Sequence, residues 1–313
     1  MLALIATYAI HDLNRWPNGP VFLNNNEMIA GEFYKVNRPA ALEVWRQGVW
    51  HELPPQARKI VGLNNSNQVA IFGREGWGIW QSDKLTICEY PLPQQYGIPP
   101  RPIGEPIGID ESGALLGAED ELEGVFRISS WPRMTYSTFQ RLPRPIALGP
   151  DGAWSGYFPR GRMFTSGEEP NTFLVFGKEV FPIGAGKITA LPTAVSSSHT
   201  VVGSYSTWIS GVRPWRIPFS WSHGKFTPLP IPTDAQEGVA QAVNKDGVIV
   251  GEVDNRAVVW RNAKMEYLDD LIGPSTPYTV GLAYAINDKG EIIASGKKRD
   301  GSSYPTLLML KPN

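Results

Sequence analysis

Trp208, Arg213, Trp215 and Arg216 crowd into nine residues, and their types suit one kind of chemistry. A guanidinium grips carboxylate, sulfate or phosphate through paired hydrogen bonds, and an indole offers a flat apolar platform. Arg74, Trp77, Arg160, Arg162 and Tyr205 repeat the combination elsewhere, with Tyr34, Arg58, Lys59 and Tyr157 of the same character. Together they would hold an anionic sugar or another flat acidic ligand. Glu119, Asp120, Glu121, Glu123, Glu168 and Glu169 fall in the same kind of segment and could instead pair with the arginines. The residue types alone leave both readings open.

Other chemistries find less support. His11, His51, His199 and His223 are scattered without the spacing of a metal-ligand set. The single cysteine, Cys88, sits in an apolar TICEY stretch and reads as a small hydrophobe; no intrachain disulfide is possible. Gly184-Ala185-Gly186-Lys187 is followed by Ile188, so it lacks the phosphate-loop spacing. QAVNKDGVIVGE (241–252) resembles a calcium loop only in Asn244 to Gly247; an apolar strand follows where further ligands would be needed. No GxSxG elbow occurs. No metal and no cofactor is expected.

The elements that would position the arginines and aromatics emerge from a repeat. An apolar anchor, a polar turn, a short apolar run and a small residue recur seven times. The anchors are Leu23, Leu63, Ile109, Leu148, Val195, Val243 and Ile286, spaced 39 to 48 residues apart. That period suits one four-stranded propeller blade. A second apolar run follows in each repeat and ends in Trp45, Trp80, Phe126, Phe176, Trp221 or Trp260, with TLLML in the last. These aromatics share one repeat position, so packing between blades is expected. A polar turn and a strand ending in Leu complete each unit. Enrichment in β-branched and aromatic residues marks strands, and Asn, Asp and Gly mark turns.

The seventh repeat stops after its third strand, and Ala6–Leu13 (ATYAIHDL) matches the fourth-strand ending of MEYLDDL. The expectation is therefore an all-β chain forming a single domain over 1–313. It is a seven-bladed propeller of four-stranded antiparallel blades, the ring closed by the N-terminal strand. Strand alternation then puts the short turns on one face and the long, irregular loops on the other. The arginine and tryptophan candidates belong to the long-loop face, and loops on a regular scaffold are where binding concentrates.

The pattern Ala242-Val243-Asn244, Gly247, Gly251, Ala257-Val258-Val259-Trp260 and Asp270-Leu271 resembles the HAF repeat, an extracellular-repeat family. Ala285-Ile286-Asn287 with Gly290 is a second good copy; Gly149 and His199 depart from the motif in the fourth and fifth repeats. The resemblance implies a β-propeller and, for many members, export; it implies no activity.

With 313 residues, 42% hydrophobic and a net charge of −1, the chain can bury a large core, and nothing pulls it toward nucleic acid or anionic lipid. No run is long and apolar enough for a membrane span. The start MLALIATYAI lacks a basic region and a cleavage site, so the sequence reads as cytoplasmic, or as secreted if an export signal was trimmed. The expected function is non-catalytic recognition or scaffolding through the long-loop face, with a protein partner or an acidic carbohydrate. The alternative is a propeller lyase or hydrolase on acidic glycans, with Tyr205 or Tyr157 and Arg160 or Arg213 in the working roles.

Overall fold

The computed structural model describes residues 7–35, 38–73, 76–87, 106–119, 124–128, 144–157, 172–177, 179–183, 189–206, 216–301 and 305–313. The first strand is β1 (Tyr8–Asp12). The first sheet follows as β2 (Trp16–Leu23), β3 (Ile29–Lys35), β4 (Arg38–Arg46) and β5 (Val49–Glu52). The second is β6 (Ala57–Leu63), β7 (Val69–Gly73), β8 (Gly76–Gln81) and β9 (Lys84–Ile87). The third has β10 (Pro106–Ile109), β11 (Leu115–Glu119) and β12 (Gly124–Ile128). The fourth comprises β13 (Arg144–Leu148), β14 (Trp154–Tyr157), β15 (Thr172–Phe176) and β16 (Glu179–Ile183). Then come β17 (Thr189–Val195), β18 (Val201–Ser206), β19 (Arg216–Ser222) and β20 (Lys225–Pro228). The sixth sheet is β21 (Gly238–Val243), β22 (Ile249–Val253), β23 (Arg256–Arg261) and β24 (Lys264–Tyr267). The helical turn α1 (Leu268–Ile272) leads to β25 (Tyr278–Ile286), β26 (Ile292–Lys298) and β27 (Thr306–Pro312).

Every pairing is antiparallel between chain neighbours, except that β1 lies beside β27. Two expectations are corrected here. Six sheets have four strands, not seven; the third has three, and the stretch that would supply its fourth lies outside the described residues. The LDDL stretch is not a strand ending but α1, whose Asp269 accepts the Val280 N–H at 2.8 Å.

Hairpin chemistry explains the regularity. Gln47-Gly48, Ser82-Asp83, His223-Gly224 and Asn262-Ala263 each put two consecutive residues at positive φ. That is the type I′ geometry whose twist matches the twist of paired strands, and it keeps the link between third and fourth strands at two residues.

Each sheet's first strand packs across the preceding sheet, so the middle strands are covered on both faces. Leu307 to Leu310 are fully buried, as are Ala257 to Trp260 to within 1% exposure. A strand buried on both sides reads as an unbroken apolar run, which is what the sequence carries there. Of the repeated aromatics, Trp80, Trp221 and Trp260 are core, and Trp45 packs half-buried against the first sheet's cluster. Among those whose side chains are described, Phe176 is the exception, 39% exposed, with its ring 4.3 Å from that of His199; the side chain of Phe126 lies outside the description.

Ser155 is fully buried on β14, and its hydroxyl has no hydrogen-bond partner among the described residues. Its register partners Ala147 and Leu174 belong to an apolar cluster. An unpaired buried hydroxyl costs about 1–3 kcal/mol. Ser155→Ala is therefore expected to raise unfolding stability by roughly 1 kcal/mol in a urea titration; a loss of stability would show that the hydroxyl has a partner.

Candidate functional site

The first strands of all seven sheets line a single cavity of about 1260 Å3. Its wall is mostly apolar, and the repeat anchors Leu23, Leu63, Leu148, Val195 and Ile286 form a collar at the end where the short turns lie. Among the described residues, Lys59, Gln241, Thr193 and Tyr284 are the polar side chains of the wall. Thr193 is already committed, donating its hydroxyl to the Ala240 carbonyl at 2.6 Å. Burial pushes the Tyr284 phenol above its usual pKa, with the Ser295 hydroxyl drawing it back and the Glu252 charge adding to the rise. It is therefore a neutral donor at ordinary pH. Glu252 is itself raised, first by burial; Arg216 opposes this and Glu237 reinforces it.

Beyond the collar, a polar space of about 110 Å3 is built from the turns. Four buried asparagines organise it. The Oδ1 of Asn24 accepts the N–H groups of Asn26 and Met28, at 3.0 and 2.9 Å, which ties its own turn. Its Nδ2 crosses to the next sheet and donates to the Asn64 carbonyl at 2.9 Å. Asn64 does the same toward the Asp110 carbonyl, Asn244 toward Asn287, and Asn287 toward Asn24. Each amide thus satisfies one turn and fastens it to the next, a use of both ends that few other side chains allow. The following residue adds a second tier. The Asn25 N–H donates to Asn65 Oδ1, the Asn65 N–H to the Glu111 carboxylate, the Lys245 N–H to Asp288, and the Asp288 N–H to Asn25 Oδ1.

The run breaks where the sequence departs from the motif. Asp110 has no amide to donate, and Gly149 has no side chain. There the Glu111 N–H donates to the Pro150 carbonyl, and His199 Nε2 meets Asp151 Oδ2 at 2.5 Å. Burial raises the Glu111 carboxyl above its usual pKa; the Asn65 N–H opposes this, and the charges of Asp110 and Asp288 add to it.

These bonds also dispose of the calcium-loop resemblance. Asn244 Oδ1 is spent on the N–H groups of Asp246 and Val248, at 3.1 and 3.0 Å, so it faces its own turn. Among the described residues, no three His, Cys, Asp or Glu side chains converge as a cation site.

Of the residues read from the sequence as ligand-binding, the structure describes Trp77, Tyr205 and Arg216. Trp77 is fully buried in the core of the second sheet and offers no open face. Tyr205 is 8% exposed, wedged against Phe219 and Phe226, and burial raises its phenol pKa. Arg216 is exposed but engaged, its guanidinium holding Glu237 at 3.0 and 3.1 Å. Arg74, Arg160, Arg162, Trp208, Arg213 and Trp215 lie outside the described residues, as does Cys88. Arg58 and Lys59 are exposed at the start of β6, and Lys59 reaches the cavity wall. Tyr34 is exposed, 40%, beside an equally exposed Trp16 that sequence reasoning passed over.

The architecture is that of a β-propeller, and the comparisons agree. Virginiamycin B lyase from Staphylococcus aureus, in a catalytically inactive form with quinupristin, superposes with a TM-score of 0.53 at 12% identity, over 98% of this chain and 100% of that one. Acylaminoacyl peptidase from Pyrococcus horikoshii gives 0.60 at 12% identity, covering 96% of this chain but 52% of the peptidase. The β-propeller domain of the Trilobed protease from Pyrococcus furiosus, described as having an open velcro topology, gives 0.58 at 8% identity over 96% and 94%. At such identities the likeness is one of fold. No protein-family model matches the chain, and no curated protein sequence matches it significantly.

Proposed function

We propose that the chain is a non-catalytic recognition propeller of seven blades. In this reading the three-stranded sheet is the third blade, β1 closes the ring, and the repeats are of the HAF kind. The seven-sheet lining of the cavity and the Asn287–Asn24 bond between last and first sheets support the count and the closure. The ligand is taken through the long-loop face, and its class is an anionic carbohydrate.

The observation that carries this is the cavity itself. A space of about 1260 Å3 with apolar walls and a few polar groups is the usual composition of a binding site. It narrows into a hydrogen-bonded belt of turns at one end, which leaves the opposite end for entry. Lys59 supplies a cation to the wall.

Catalysis by the lyase alternative has less to work with. A phenol acting as base needs a lowered pKa, whereas burial raises Tyr205. None of the four histidines lines the cavity.

The test is an array of acidic and neutral glycans probed at low and high salt. Binding to uronate or sulfated glycans that fades with salt, with no time-dependent absorbance from an unsaturated uronate, is the expected result. Appearance of that absorbance would instead establish the lyase. Silence on the array, with a pull-down returning one protein partner, would replace the carbohydrate reading by a scaffold.

A further inference from the structure

We propose that Gln241 reads the ligand inside the cavity, bonding two adjacent hydroxyls of a sugar ring whose C–H side lies against the opposite, apolar arc of the wall. This rests on the recognition function proposed above and assigns it a specificity-determining residue.

Among the described residues, six of the first strands carry one residue too many, two positions before the apolar anchor. In each, two steps along the first strand match one step along the second. The residues left over are Val61, Ile107, Ile146, Thr193, Gln241 and Tyr284, and every one of them lines the cavity. A bulge frees a residue from the ladder and re-aims its side chain. In the first sheet the irregularity comes earlier, between Pro17 and Val21. Val21, two positions before Leu23, still takes the corresponding place on the wall.

Chain order sorts these side chains by chemistry. The first four sheets supply Val21, Val61, Ile107 and Ile146, and the last three supply Thr193, Gln241 and Tyr284. First strands adjacent in chain order pack side by side, and β25 also meets β2. At this level the wall therefore has one continuous arc without a hydrogen-bonding side chain and one continuous polar arc.

Within the polar arc Gln241 stands apart. Thr193 spends its hydroxyl on the Ala240 carbonyl at 2.6 Å, which ties β17 to the backbone beside Gln241. The Tyr284 phenol is bonded to the Ser295 hydroxyl. Gln241 is half-buried, and its amide holds no hydrogen bond among the described residues. The asparagines of the belt, by contrast, use both ends of theirs. An amide presents an acceptor and a donor side by side in one plane. That pair suits two neighbouring hydroxyls, one donating to Oε1 and one accepting from Nε2. Partly withdrawn from water, the amide loses by facing an edge that cannot pair with it. The apolar arc imposes the converse, because it offers a hydroxyl nothing. A ring with C–H groups on one side and a hydroxyl pair on the other meets both demands.

The experiment is isothermal titration of the full chain with three tetramers: 1,4-linked galacturonate, the same with its 2- and 3-hydroxyls acetylated, and neutral 1,4-linked galactose. Unmodified galacturonate is expected to bind about tenfold tighter than the acetylated form, the worth of two hydrogen bonds. Gln241→Leu should weaken the unmodified form by about the same factor and leave the acetylated form unchanged, so that the difference between them disappears. Melting temperatures report that the variant is folded. Galacturonate binding that Gln241→Leu preserves, with the acetylated form bound equally well, would overturn the role of Gln241 and leave the recognition function standing. Galactose bound in place of galacturonate, and lost with Gln241→Leu, would keep that role and remove the acidic class. Failure of all three tetramers to bind would overturn the assignment to Gln241, while the glycan array decides separately whether another acidic glycan is recognised.

Discussion

Deleting residues 1–13 is expected to leave a chain that no longer unfolds as one cooperative unit. β1 supplies the outer strand of the sheet formed by β25, β26 and β27, pairing residue by residue from Tyr8–Pro312 to Asp12–Leu308. Its loss strips Tyr8, 5% exposed, from the core cluster it shares with Leu308 and Leu310. It also leaves the edge of β27 unpaired, an invitation to aggregation. One large buried side chain is worth roughly 1.5–3 kcal/mol, and each strand hydrogen bond about 1 kcal/mol. The sum is on the order of 5 kcal/mol or more, comparable with the whole stability of a domain. Calorimetry of the truncated chain should show a broadened transition at much lower temperature. A melt as sharp and as high as that of the intact chain would refute the assignment.

The same strand carries a pH signature. Asp12 accepts hydrogen bonds from Tyr278 and Thr306, both at 2.6 Å, which tie β1 to β25 and β27. Partial burial would raise its carboxyl, but the bonds from Thr306, Tyr278 and the Asn14 N–H, with the Lys298 charge, outweigh it and hold the pKa below the usual value. A carboxylate depressed on folding stabilises the fold above its unfolded pKa of about 3.9, and that stability is lost as pH falls through the folded value. Tyr278 behaves oppositely. Its bond to Asp12, then burial and the Asp12 charge, push its pKa up to about 12. Its contribution is complete below the unfolded phenol value of about 10 and is lost as pH rises toward the folded one. Asp12→Ala should therefore lower stability at neutral pH and flatten both limbs of the stability–pH curve.

The period of the repeats was legible because each repeat carries an apolar anchor, and a need that recurs along the chain leaves its mark in the sequence. Leu23, Leu63, Leu148, Val195 and Ile286 indeed line one wall. The belt of asparagines was not legible. Within one repeat Asn24 reads as an ordinary turn residue, and only the neighbouring turn, forty residues on, shows that its amide has a second partner. Trp77 and Tyr205 misled for a related reason. Alternation along a strand reports exposure only when one face is wet, and the middle strands here are covered on both sides. Trp16 went unnoticed because WPNGP shows no apolar alternation: Asn18 to Pro20 lie out of register just after it. A two-sided core and a local irregularity are the two things a period cannot report.

Gly251→Ala should be the most damaging small substitution in the sixth sheet, on the order of 3–5 kcal/mol. The repeat's last small residue looks like a matter of size, but its cause lies in the opposite strand. β21 carries one extra residue between Ala240 and Ala242, and the bulge swings the Val239 carbonyl toward β22. A Cβ on Gly251 would stand 2.0 Å from that oxygen and 3.1 Å from Ala240 Cα. Both obstacles are backbone, so no rotamer change relieves them. Gly203 repeats the arrangement, with the Leu191 carbonyl 2.1 Å from its Cβ position and the bulge between Pro192 and Ala194. Where the repeat has Ile71 or Ala294 instead, the first strand spreads its irregularity over two register shifts. Gly247 separates steric from conformational cost. Its φ is +76° and nothing lies within 4 Å, so Gly247→Ala should cost only about 1–2 kcal/mol of left-handed strain. Urea unfolding of the three alanine variants should rank Gly251 and Gly203 together and well above Gly247. Equal costs would mean that β21 can slide its bulge along the strand, and that the register feeding its side chains into the cavity wall is not held by this contact.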